Sequence, residues 1–91
     1  MVDFWAAWCG PCQRLGPVIA SLAEDYEDEA VVIGKIDVDD NQALAQRYGV
    51  MNVPTVILFK DGQEIDRKVG AMPFGVYADV LDTALEESSS R

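Results

Sequence analysis

Apolar and polar positions follow one another along this chain in blocks whose periods predict a succession of elements. Residues 2–6, Val2-Asp3-Phe4-Trp5-Ala6, are apolar except for Asp3 and read as a short buried strand. Pro11 stands where a helix would begin, and Leu15, Val18, Ile19, Leu22, Ala23 and Tyr26 follow at helical spacing to about residue 28. Pro17 lacks an amide donor and Gly16 weakens the same turn, so a kink is expected there. The β-branched run over 31–38 predicts a second strand. Asp39, Asp40 and Asn41 offer N-cap chemistry to a short helix that turns Leu44, Ala45 and Tyr48 inward and closes at Gly49. Runs over 55–59 and 64–69 flank Asp61-Gly62, a strong hairpin signal. Pro73 opens a last helix with Tyr77, Val80, Leu81, Ala84 and Leu85 on one face. The order is β-α-β-α-β-β-α. Its first crossover predicts a right-handed parallel unit and its hairpin an antiparallel pair, so an α/β fold on a mixed sheet is expected.

At 91 residues the chain is a single domain, expected over 1–87, with 88–91 as a flexible tail ending in serines and Arg91. Seven Lys+Arg against sixteen Asp+Glu leave a net charge of −9. A surface that acidic repels phosphate, which argues against nucleic acid and anionic membranes as partners. Histidine is absent. Ser-His and Cys-His nucleophiles, His-ligated metals and the usual neutral-pH proton shuttle are thereby excluded. The longest apolar run, over 53–59, is far short of the ~20 residues of a membrane span. No basic segment precedes the first strand, so a secretory signal is not expected. Two cysteines allow one disulfide, whereas small secreted domains usually carry several, and a cytoplasmic location is the simpler expectation.

The chemistry lies in Trp8-Cys9-Gly10-Pro11-Cys12. A Cys-x-x-Cys pair on the first turn of a helix places its sulfurs on one face, within disulfide reach. Unpaired amides and the helix dipole favour negative charge at Cys9, which lowers its pKa. Cys12 lies a turn further in and is expected to be better shielded. An exposed thiolate with a shielded partner is the arrangement that dithiol–disulfide exchange uses, and it needs no cofactor. Pro11 keeps the turn rigid. Half of a zinc site is the competing interpretation, but such a site needs four ligands, which only two chains sharing a metal could supply. Two unreacted structural thiols are the blandest alternative, and the strand-then-helix position speaks against them.

The segment from Val2 to Cys12 resembles the active-site segment of bacterial members of the thioredoxin family. The resemblance continues through Pro17, Lys35-Ile36-Asp37-Val38-Asp39, Tyr48-Gly49-Val50, Val53-Pro54-Thr55, Phe59-Lys60-Asp61-Gly62 and Val69-Gly70-Ala71. It implies a thioredoxin fold with helices on both faces of a mixed four-stranded sheet, ordered 31–38, 2–6, 55–59, 64–69. It also implies a protein-disulfide reductase, recharged by thioredoxin reductase or another dithiol donor and acting on disulfide-containing proteins. Cys9 would attack and Cys12 resolve. Asp3 would be the buried carboxylate accepting the Cys12 proton, with Lys35 as its charge partner. Pro54 would be cis, Val53 would pair its backbone with substrate, and Trp8, Gly70 and Ala71 would complete an apolar rim. Trp5 would pack beneath the site. Gly10-Pro11 between the cysteines favours the reducing side of the family. Gln13 and Met51 depart from the pattern, standing where many relatives carry basic residues, so thiolate stabilisation is reduced.

The family's first strand and helix, roughly twenty residues, have no counterpart here. The resemblance then implies an N-terminally shortened fold with Val31, Val32, Ile33, Ile36 and Val38 on an uncovered edge. Weak self-association through 31–38 and lowered stability are expected from such an edge. The alternative from another class is a non-catalytic binding module on the same fold, or a dimer bridged by a metal.

Overall fold

Strand position in the sheet follows apolar content. β1 (Val2–Trp5) and β3 (Thr55–Lys60) carry near-continuous apolar runs and take the two central places, in the order β2-β1-β3-β4. The edges go to β2 (Gly34–Asp37) and β4 (Gln63–Val69), which carry charged residues. β1 runs parallel to β2 and antiparallel to β3, and β3 and β4 form an antiparallel hairpin. At the hairpin tip Asp61 and Gly62 both have positive φ, 54° and 80°, as a two-residue primed turn requires. The computed structural model describes residues 1–89.

Three helices cover the sheet. α1 (Gly10–Asp25) and α3 (Phe74–Ser89) contact each other on one face, where Met1, Leu15, Ile19, Leu22, Val56, Leu58, Tyr77 and Leu81 form the main core. α2 (Gln42–Arg47) leads into Tyr48, whose ring lies 6.3 Å from that of Phe4 and 5.1 Å from that of Phe59. Strand alternation turns Phe4 away from the face that Met1 and Asp3 share, so these aromatics build the second face. Arg67 fastens the hairpin to that corner by donating to the carbonyls of Tyr48 and Gly49. No helix among the described residues is long and apolar enough to cross a membrane.

Two local expectations change. The second strand spans only Gly34–Asp37. After α1 the chain makes turns, with Glu29 N–H donating to Tyr26 O and Val31 N–H to Glu29 O, and only at Gly34 does it meet β1. Val31 and Ile33 pack on the core, while Val32 is 84% exposed, so the apolar edge is shorter than 31–38. Asn41 stands at the N-cap of α2, but its side chain makes no cap hydrogen bond and donates instead to Asp37 O. Gly16 and Pro17 lie inside α1, which extends to Asp25. The tail expected over 88–91 overlaps the end of α3, and residues 90 and 91 lie outside the described residues.

Candidate active site

The strand-to-helix step at 6–10 forms because an extended residue must precede α1 and Pro11 suits a first-turn position. Cys9 is that residue, with φ −90° and ψ 114°, and it is the N-cap of α1. Its sulfur plays the part that a Ser or Asp oxygen usually plays, accepting the Cys12 N–H at 3.2 Å. The Cys9 N–H donates to Ala6 O and the Gln13 N–H to Cys9 O, each at 3.2 Å. Gln13 also donates its side-chain amide to Ala7 O at 3.0 Å, which ties down the loop before the helix. Cys9 and Cys12 are disulfide-bonded, with Cα atoms 5.2 Å apart. Gly10 and Pro11 between them are exposed. A Cβ on Gly10 would meet Arg14 Nη1 at 3.8 Å, so a guanidinium lies beside this turn.

The expected difference in depth is not present. Both cysteines are 4% exposed, because Ala6, Trp5, Val38 and Val53 enclose them together. Their asymmetry lies in their partners: Cys9 Sγ receives the amide and lies 3.6 Å from the carbonyl oxygen of Val53.

The residues expected to form the rim lie on three separate stretches. The Val53–Pro54 bond is cis, and Pro54 is fully buried beside half-buried Val53. Gly70, with φ 91°, donates its N–H to Pro54 O at 2.8 Å, which brings Gly70 and Ala71 next to that bond. Trp8 is 72% exposed, and its indole Nε1 donates to Asp39 Oδ2 at 2.9 Å. Trp5 packs on the cysteine cluster, as expected.

Asp3 is the fully buried charge of β1, and neither of its oxygens has a hydrogen-bond partner. Burial pushes its carboxyl up to about 6, with the nearby Lys35 cation pulling weakly the other way. Lys35 is the register partner of Asp3 across the parallel pair. Its ammonium lies 4.4 Å above the Trp5 ring instead of in an ion pair with the carboxylate. Two contacts here had no signal in the sequence pattern. Asp39 was expected to serve a helix cap and instead holds Trp8, while the Tyr77 hydroxyl, expected only as part of an apolar face, contacts the Gly70–Met72 stretch.

Comparison with known proteins agrees with this geometry. A family model described as thioredoxin matches residues 1–83. Thioredoxin of Staphylococcus aureus is 52% identical over 85 residues, covering 93% of this chain and 81% of the relative. A solved mutant thioredoxin from Halobacterium salinarum superposes with a TM-score of 0.85 at 45% identity, covering 92% of this chain and 72% of that one. A thioredoxin from Nicotiana alata gives a TM-score of 0.80 at 43% identity, with 89% and 69% covered. The chain belongs to the thioredoxin family, and its Cys9–Cys12 pair is the dithiol–disulfide couple of a protein-disulfide reductase.

Proposed function

We propose the following division of labour among the site residues. In the reduced protein Cys9, as a thiolate stabilised by the Cys12 N–H and the start of α1, attacks one sulfur of a target disulfide and expels the other as a thiolate. Asp3, ionised over much of the neutral range, accepts the Cys12 proton. The Cys12 thiolate attacks Cys9 Sγ, the mixed disulfide breaks, and the target leaves with both sulfurs reduced, taking up protons from water while Asp3 returns its proton to solvent. The protein retains the Cys9–Cys12 disulfide, and two electrons have passed to the target. Trp8, Val53, Pro54, Gly70 and Ala71 receive the target chain, and the carbonyl of Val53 beside Cys9 Sγ supports strand-like pairing there. Gly10 and Pro11 shape the turn, and Lys35 adjusts the charge state of Asp3.

The observation that carries this reading is the sulfur cap: the same atom that would attack accepts an amide N–H from the first turn of α1. Insulin reduction driven by dithiothreitol tests it, and turnover well above the uncatalysed rate is expected. No acceleration, with metal retained after purification under reducing conditions, would favour the metal-bridged binding module instead.

Physiological targets are disulfide-containing proteins, and thioredoxin reductase or another dithiol donor returns the electrons. We place this exchange in the cytoplasm, which suits a chain whose only cysteines are the redox pair. The outer edge of β2, with Val32 exposed beside it, supports weak self-association through 31–38. Sedimentation over a concentration series checks this, and a weight-average mass that does not rise with concentration excludes it.

A further inference from the structure

Tyr77 is wholly buried in α3, among the apolar side chains of the main core. Phenylalanine could fill the same space with no hydroxyl to desolvate, and a buried hydroxyl is costly unless paired. This one is paired twice, both times to one short stretch of chain. It accepts the Met72 N–H at 3.0 Å and donates to Gly70 O at 3.4 Å. The Gly70 N–H is already committed to Pro54 O at 2.8 Å. Ala71, exposed, therefore sits on backbone held from beneath by Tyr77 and from the side by the residue after Val53. Burial also pushes the Tyr77 phenol up, which keeps its donor proton in place at neutral pH.

We propose that Tyr77 is a positioning residue for protein substrates: its hydroxyl holds the Gly70–Ala71–Met72 stretch at the height where a target chain crosses the rim toward Cys9. The proposal rests on the reductase reading and adds a residue that touches neither substrate nor sulfur. A protein target must lie across the rim, whereas a small aromatic disulfide reaches Cys9 without spanning it. Loss of the hydroxyl therefore acts selectively on protein substrates.

The test is Tyr77→Phe in the full chain, assayed on insulin and on 5,5′-dithiobis(2-nitrobenzoic acid). KM for insulin is expected to rise about five- to tenfold, the value of one or two net hydrogen bonds, with kcat and the small-disulfide rate within about twofold of wild type. An unchanged KM for insulin overturns the proposal. So does an equal loss on both substrates, which would show a general effect on the fold or on the sulfurs. Wild-type turnover of the small disulfide reports separately on the reductase reading. A second measurement needs no variant: hydrogen exchange at the Met72 amide should be as slow as in the buried part of α3. Exchange at the rate of an open peptide overturns the latch.

Discussion

The turn at 6–13 and the strand residue Asp3 treat their polar groups in opposite ways. In the turn, the amides of Cys9, Cys12 and Gln13 and the carbonyls of Ala6, Ala7 and Cys9 are all hydrogen-bonded. At Asp3 a fully buried carboxyl has no hydrogen bond at all. The first arrangement fixes the sulfurs by local geometry at little cost, since every group it withdraws from water is paired. The second lowers stability and leaves the carboxyl close to neutral in its proton affinity. On the proposed division of labour, precision of position and mobility of a proton come from different residues, and they should be separable by mutation.

The largest separation is expected at the sulfurs. Cys9→Ser should bring insulin reduction down to the uncatalysed rate, because the remaining thiol, Cys12, lacks the helix-cap position that stabilises a thiolate at Cys9. Cys12→Ser should still attack and then stall, so mass spectrometry of this variant mixed with oxidised targets should show adducts on Cys9. Equal burial of the two cysteines in the disulfide makes this a sharp test, since residue exposure alone does not choose between them. Adducts on Cys12 of the Cys9→Ser protein, and none on Cys9, would reverse the assignment.

Asp3→Asn comes next. The folded protein binds the Asp3 proton more tightly than the unfolded chain does, with a pKa of about 6 against 3.8. The stabilising effect of that proton is fully present below 3.8 and is lost as pH rises through about 6. Asparagine carries no charge to bury, so the variant should be more stable than wild type above pH 6, by up to about 3 kcal/mol. The two melting curves should converge below pH 4. At the same time the resolving step should slow, most visibly above pH 6. A stability difference independent of pH would mean that Asp3 has the same pKa in the folded protein as in the unfolded chain, so that burial does not raise it. Unchanged exchange kinetics across the neutral range would remove it from the proton path.

The two regions were also unequally legible in the sequence. The dithiol turn is local: Cys9, Gly10, Pro11 and Cys12 lie within one helix turn, so spacing and capping rules are enough to place both sulfurs. Asp3 showed as a lone charge in an apolar strand, and its burial was expected from the resemblance, with which that pattern agrees in part. The Asp61-Gly62 hairpin could be read because primed turns demand positive φ, whereas strand order came from the resemblance to the family. What could not be read were individual side-chain hydrogen bonds. The tie from Trp8 to Asp39 spans 31 residues, and that from Met72 to Tyr77 is made by a hydroxyl on a residue whose spacing marks it as core. The length of β2 was misread for a related reason, since the β-branched residues at 31–33 serve the core and not the ladder.

The smallest effect is expected where the rigid turn meets solvent. Trp8 is mostly exposed and so has little packing to orient it, which leaves its bond to Asp39 as the main tie between the indole and the loop after β2. Asp39→Ala should free the ring. Both partners are exposed, so global stability should move by no more than about 0.5 kcal/mol. The rim, by contrast, would lose a preset wall, and KM for insulin should rise roughly two- to fivefold with kcat unchanged. Asp39→Asn keeps a carbonyl oxygen at the same place and should restore most of the wild-type KM. Indole fluorescence anisotropy offers an independent readout, with faster local motion expected for alanine and wild-type values for asparagine. If alanine, asparagine and wild type share one KM and one anisotropy, Trp8 is oriented by something other than Asp39. The contrast between a pinned site and an unpaired carboxyl would then stop at the helix cap and not reach the rim.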